Sequence, residues 1–222
     1  SEISNVECCE LKFCTRRNLI SELSDSYGSD KGSIKGASPF FYWTPHNYSH
    51  VYELSLGLKR SSIQNVFECG IGTNNPKLPS SMGVAGKPGA SLRIWRDYFP
   101  NARIYGADID RSILFSEDRI VTGQMDQTDA QSIQAYFGKF EREFFDVMID
   151  DGLHFTGPAI TLIQHSFDYL KDTGSYFIED LSTDSIVELA QFLSSWPVSV
   201  TVYLLTRAGD ASPEHSCLVE VR

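Results

Sequence analysis

The sequence predicts an α/β fold: an open, mostly parallel sheet with helices on both faces and an antiparallel hairpin at its C-terminal end. Three observations point to it. From Ile63 onward, short apolar runs alternate with helical patterns, as in parallel strands joined by crossover helices. These runs end in glycine or acidic residues: Gly70, Asp108, Asp150-Asp151 and Glu179-Asp180. An open parallel sheet holds its ligands at such ends. The last two runs, 198–205 and 216–221, have no helix between them, so they return as a hairpin.

Taken in order, residues 1–45 read as a lead-in that covers the site, and 46–222 as one compact ligand-binding domain. A short helix is expected over 15–27. A Gly/Ser stretch at 28–33 and the aromatic group Phe40-Phe41-Tyr42-Trp43 follow. In a helix over 47–58, Tyr48, Val51, Tyr52 and Ser55 share one face by their three-and-four spacing. Residues 63–69 form a buried strand running into a glycine turn. The loop 73–89 carries the breakers Gly83, Gly86, Pro88 and Gly89. A helix over 90–99 sets Leu92, Trp95 and Phe99 on one side, and Pro100 closes it. Strand 103–107 ends at Asp108. A short helix (111–115), a short strand (119–122), a helix (129–136), strand 144–149, a helix (155–170), strand 175–178 and a helix (184–195) lead to the hairpin. This order matches the class I methyltransferase sheet better than a dinucleotide-binding one.

Composition narrows the partners. A chain of 222 residues supports one substantial α/β core. The net charge of -10, with no basic stripe to offset it, disfavours nucleic acid and favours a small-molecule partner. No run approaches the roughly 18 apolar residues of a membrane span. Residues 1–12 lack a secretory layout, so a cytoplasmic protein is expected. The cysteines Cys8, Cys9, Cys14, Cys69 and Cys217 are odd in number and read as reduced thiols. The histidine nearest the first three is His46, which fits no common zinc spacing.

The turn Glu68-Cys69-Gly70-Ile71-Gly72 has the form E-x-G-x-G. Asn75 stands where a dinucleotide fingerprint has its third glycine. A cofactor without phosphate, S-adenosylmethionine, suits the turn better, since acids can face its amino group and sulfonium. Taken alone, the turn is also compatible with a plain tight turn. Asp108, at the next strand end, can accept hydrogen bonds from ribose hydroxyls. Alternatively, Asp108 or Asp110 caps the following helix. Asp126-Gln127 falls where an adenine edge would lie, or forms a polar loop.

The sharpest constellation is Ile149-Asp150-Asp151-Gly152-Leu153-His154 with Glu179-Asp180. Neighbouring strand ends bring Asp151, Glu179 and Asp180 together. Carboxylates converging without basic partners repel, and a hard divalent ion such as Mg2+ resolves this. His154 can then take the proton of a hydroxyl acceptor that the metal acidifies and orients. In the plainer alternative, His154 packs on the next helix and the acids, Asp150 among them, serve only the cofactor.

Five segments together resemble the macrocin and mycinamicin sugar O-methyltransferases. They are the stretch from Pro88 to Pro100, Gly106-Ala107-Asp108-Ile109, Asp126-Gln127-Thr128-Asp129, Ile149 to His154, and Ile178-Glu179-Asp180. The resemblance covers about residues 30–181. It implies S-adenosylmethionine and Mg2+ as cofactors and a sugar hydroxyl as acceptor. It implies Asp151, Glu179 and Asp180 as metal ligands, His154 as general base, and Glu68, Gly70 and Asp108 as cofactor contacts. Ser91 and Arg93 either contact the methionine end or pack. Asp30-Lys31 and His46-x-Tyr48 resemble an upstream segment that helps close the site over substrate. Leu153 departs from the family's serine, the loop 74–87 is longer, and the large N-terminal assembly domain of the mycinamicin type is not in this sequence. The acceptor and any homo-oligomer are therefore open. A metal-independent methyltransferase on a carboxylate or amine, or a non-catalytic cofactor-binding regulator, are the competing readings.

Overall fold

A computed structural model describes residues 5–12, 16–33, 38–206 and 216–222. Cys14 and the first residue of the helix expected over 15–27 lie outside the described residues. The strands are β1 (Val6–Leu11), β2 (Asn65–Cys69), β3 (Arg103–Asp108), β4 (Ser116–Glu117), β5 (Ile120–Gln124), β6 (Phe145–Asp150), β7 (Leu170–Glu179), β8 (Val200–Leu205) and β9 (Cys217–Val221). The helices are α1 (Leu19–Tyr27), α2 (Ser49–Leu56), α3 (Ala90–Tyr98), α4 (Ala130–Phe137), α5 (Thr156–Ser166) and α6 (Thr183–Leu193). All strands join one sheet in the order β1-β8-β9-β7-β6-β2-β3-β5-β4.

The parallel heart is β7-β6-β2-β3-β5. The expected hairpin is present, since β8 and β9 are antiparallel. β9 also inserts between β8 and β7 and runs antiparallel to both.

Side chains alternate across the sheet and sort into two apolar layers. Val66, Ile104, Val147, Ile149 and Phe177 pack with α1, α2 and α3. Phe67, Met148, Tyr176 and Ile178 pack with α4, α5 and α6. The first layer centres on Trp95, Tyr52 and Phe177, with ring centroids 4.8 Å apart for Tyr52–Trp95 and for Tyr52–Phe177.

The structure changes several boundaries. Residues 6–11, expected to lie in the lead-in, form β1 and pair in parallel with β8. β4, not anticipated, edges the far side of the sheet. The helix expected over 155–170 stops at Ser166. A single 3-10 turn, Phe167–Tyr169, then leads straight into β7, which begins at Leu170. The helix expected over 111–115 is one 3-10 turn, Arg111–Ile113. No helix among the described residues is long and apolar enough to cross a membrane.

Candidate active site

β2 delivers the chain to Gly70, whose φ of 83° lies in the left-handed region that favours glycine. A Cβ there would stand 2.1 Å from the carbonyl oxygen of Asp151. The close approach follows from the ladder. Gly70 N–H donates to Ala107 O at 2.9 Å, and Asp151 N–H donates to Cys69 O at 2.9 Å. The carboxyl ends of β3, β2 and β6 are thereby drawn together. They border a cavity of about 430 Å³ lined by Gly70 to Thr73, Ser91, Asp108, Asp126 to Thr128, Asp151 to His154 and Asp180. Lys31, Phe40, Phe41 and Trp43 close it from the N-terminal side.

Asp108 is fixed rather than free to swing. Its Oδ2 accepts from Ile71 N–H at 3.0 Å and its Oδ1 from Asp110 N–H at 2.9 Å. The capping role falls to Asp110, which accepts from Ser112 N–H at 2.9 Å. Burial raises the Asp108 carboxyl above its ordinary range, against the backbone donors that hold it.

Strand parity divides the acids of β2, β6 and β7. Glu68 and Glu179 share the parity of Val66 and Phe177, so they lie under the α1–α3 layer. There Trp95 Nε1 donates to Glu68 Oε2 at 2.8 Å, and the Tyr52 hydroxyl donates to Glu179. Asp150 has the opposite parity. Its carboxylate accepts from Gln127 Nε2 at 2.7 and 2.8 Å, while Leu153 N–H donates to Gln127 Oε1 at 3.0 Å. The Gln127 amide thus ties Asp150 to the loop that carries His154. Gln127 borders the cavity, whereas Asp150 does not.

Beyond the strand ends, Asp151, His154 and Asp180 offer ligand atoms within 4.8 Å of one another. His154 Nε2 lies 3.2 Å from Asp151 Oδ1 and 3.9 Å from Asp180 Oδ2. His154 and Asp180 both hold positive φ, 59° and 58°, a conformation that costs energy in residues with a Cβ and that clusters at functional sites. Burial works against the His154 charge. Its hydrogen bond to Asp151 and the nearby Asp180 carboxylate outweigh that and raise it to about 9.

The carboxylates do not lack basic partners, as the sequence reading had supposed. Lys31 Nζ lies 2.5 Å from Glu179 Oε2, 2.6 Å from Asp151 Oδ2 and 3.4 Å from Glu68 Oε1. His46 bridges Asp30 (3.2 Å) and Asp180 (3.0 Å). Burial opposes the charge of His46, but the two carboxylates raise it to about 10. Burial would likewise raise Asp180, but the His46 imidazolium holds it well below the usual carboxylate range. The Tyr48 hydroxyl donates to Asp180 Oδ1 at 2.5 Å and to Cys217 O at 3.1 Å. Three backbone bonds clamp these two segments together: His46 N–H to Asp30 O, Asn47 N–H to Gly32 O and Ser49 N–H to Lys31 O, at 2.8, 3.0 and 2.9 Å.

Other anticipated residues divide by position. Ser91 and Asp126 border the cavity. Arg93 faces away from it, bonded to Glu117 at 2.6 and 3.0 Å and lying over the Phe115 ring. His46 and Tyr48 stand behind Asp180, stacked with ring centroids 5.0 Å apart, and do not line the cavity. Tyr52 and Trp95, which hold the two glutamates, were expected only as packing residues. Their buried hydroxyl and indole N–H, which need partners, were the available signal.

No protein-family model matches the chain. Over 170 residues it is 36% identical to 8-demethyl-8-(2-methoxy-alpha-L-rhamnosyl)-tetracenomycin-C 3'-O-methyltransferase of Streptomyces olivaceus, covering 76% of this chain and 38% of the relative. It is 33% identical to mycinamicin VI 2''-O-methyltransferase of Micromonospora griseorubida, covering 76% and 37%. The MycE methyltransferase of the mycinamycin pathway, solved in complex with Mg and SAH, superposes with a TM-score of 0.57 at 29% identity, covering 82% of this chain and 42% of that one. A SAM-dependent O-methyltransferase from Thermotoga maritima superposes with a TM-score of 0.54 at 11% identity, covering 92% and 70%, a likeness of fold. The chain has the fold of the class I S-adenosylmethionine-dependent methyltransferases. Within that fold it resembles the macrocin and mycinamicin sugar O-methyltransferases, while spanning less than two fifths of the length of the curated relatives it matches.

Proposed function

We propose that this chain is an S-adenosylmethionine-dependent, divalent-cation-assisted O-methyltransferase acting on a hydroxyl of a sugar carried by a small molecule. One observation carries the reading: Asp151, His154 and Asp180 meet within 4.8 Å on the wall of the same cavity that opens at Gly70. The sugar-bearing acceptor rests on the relatives, two of which are named for rhamnosyl tetracenomycin and mycinamicin VI.

The residues fit both cofactors. The cavity has the size of a small-molecule site. At Gly70 the chain approaches so closely that a Cβ would collide with backbone, and Asp108 presents a pre-oriented carboxylate beside it. Carboxylate oxygens are hard donors suited to Mg2+. Asp151, Glu179 and Asp180 would hold the cation. When bound, it lowers the pKa of the acceptor hydroxyl and orients it.

The chain's own groups do the rest. Asp108 accepts from the ribose hydroxyls, Gly70 and Ser91 border the methionine end, and Asp126 faces the adenine edge. Asp151 orients the His154 ring by accepting from Nε2–H, and the ring's other nitrogen, Nδ1, takes the acceptor's proton as the acceptor oxygen attacks the methyl carbon, the methyl–sulfur bond breaks and S-adenosylhomocysteine leaves. The aromatic segment at Phe40, Phe41 and Trp43 excludes water. The partner is a small glycosylated molecule rather than a nucleic acid, and the setting is cytoplasmic, consistent with an acidic chain.

Methyl-labelled S-adenosylmethionine, Mg2+ and a panel of glycosides and nucleotide-linked sugars test the reading. Label should appear in at least one sugar and vanish with EDTA. Label in none of them overturns the acceptor class, and undiminished label in EDTA overturns the cation's role.

A further inference from the structure

Lys31 is placed unlike an ordinary lysine. Its side chain is 2% exposed, and its ammonium touches three carboxylates from three strand ends: Glu68 of β2, Asp151 after β6 and Glu179 of β7. Two of those oxygens, Asp151 Oδ2 and Glu179 Oε2, belong to the groups assigned above to the cation. Neutral donors also reach these acids, Trp95 and Ser91 at Glu68 and Tyr52 at Glu179, and His154 reaches Asp151. Asp180, the third proposed ligand, is instead partnered by His46, Tyr48 and His154. The site therefore holds a cation supplied by its own chain, on the oxygens that a divalent ion would need.

We propose that Lys31 is a positioning residue, an internal counter-cation that keeps the carboxylates gathered before metal binds and competes with the divalent cation for Asp151 and Glu179. The proposal rests on the metal reading given above. Clustered buried carboxylates repel and are costly without a counter-charge. The ammonium removes that cost in the metal-free protein. It thereby makes metal binding weaker than the bare acids would allow, because the ion gains only what exceeds the displaced lysine contacts. The backbone clamp between Asp30-Lys31-Gly32 and the segment from His46 to Ser49 couples the exchange to the strap that carries Trp43, whose Nε1 donates to Asp30 Oδ2 at 2.6 Å.

Calorimetric titration of the full chain with MgCl2 tests this on the wild type and Lys31→Met, which keeps length and removes charge. The expected result is a lower Tm for metal-free Lys31→Met and Mg2+ binding tighter than wild type by about tenfold or more, since the ion then relieves buried charge left without its partner. A purely structural lysine would lower the Tm and leave Mg2+ affinity unchanged or weaker, and that result overturns the proposal while leaving the metal reading intact. Absence of Mg2+ binding by both proteins overturns the metal reading and the proposal with it.

A measurement on the wild type removes dependence on the variant's folding. The Lys31 ammonium resonance, identified by its absence in Lys31→Arg, should shift or broaden as MgCl2 saturates the site. A resonance unmoved at saturation overturns the competition.

Discussion

The Nε2 of His154 lies 3.2 Å from Asp151 Oδ1, three residues earlier, and His154 reaches it from a left-handed backbone conformation. The chain turns sharply after β6 so that both side chains face the cavity instead of entering α5. That turn separates binding from chemistry. His154→Ala should lower kcat by about 10²–10⁴-fold, the usual range for a general base, and leave S-adenosylhomocysteine affinity within about twofold, since none of the cofactor contacts proposed above is made by the ring. A labelled-methyl assay paired with calorimetry checks it, and full turnover in the variant would remove His154 from the chemistry.

Gly70→Ala should damage both folding and cofactor binding. Positive φ alone costs an L-residue of order 1–3 kcal/mol, and the added methyl also meets the Asp151 carbonyl. In a domain of this size that is a Tm drop of about 2–12 °C. Gly157→Ala is the control, because nothing lies within 4 Å of its added carbon. Thermal melts with and without S-adenosylhomocysteine separate the two losses.

Asp108→Asn replaces one acceptor oxygen by a donor where Ile71 and Asp110 already supply N–H groups. Losing charge-assisted bonds of about 1.5–3 kcal/mol should weaken S-adenosylhomocysteine binding by about 10–100-fold. Mg2+ affinity, read in the same calorimeter, should not change.

Arg93→Ala distinguishes packing from cofactor contact. Its ion pair with Glu117 is partly exposed, and such pairs contribute about 0–1 kcal/mol. Stability should fall slightly, and the KM for S-adenosylmethionine should stay within about twofold. A tenfold rise in KM would return Arg93 to the cofactor site.

Much of this arrangement was legible because it is local. Apolar runs ending in Gly70, Asp108, Asp151 and Asp180 mark strand ends by period and breaker alone, and neighbouring parallel strands bring such ends together. Strand parity, which the sequence analysis did not count, was also available. Counting from Val66 and Phe177 puts Glu68 and Glu179 under one helix layer, and counting from Ile149 puts Asp150 on the other face. What stayed hidden is long-range. Lys31 meets Asp151 and Glu179 across 120 and 148 residues, and no period announces such a contact. β1 escaped for the same reason. Its six residues, VECCEL, are short and charged, and their partner β8 begins at Val200.

The insertion of β9 also fixes an order of assembly. β8 reaches β7 only through β9, and β1 is attached only to β8. On a ribosome adding about 5–20 residues per second, Val6 emerges on the order of ten seconds before Val200, its partner. The core from β2 to β7 can form meanwhile, but β1 waits as an unpaired edge, open to wrong pairing, until Cys217–Val221 has left the exit tunnel. Nascent chains stalled before that strand should therefore hold a half-built sheet.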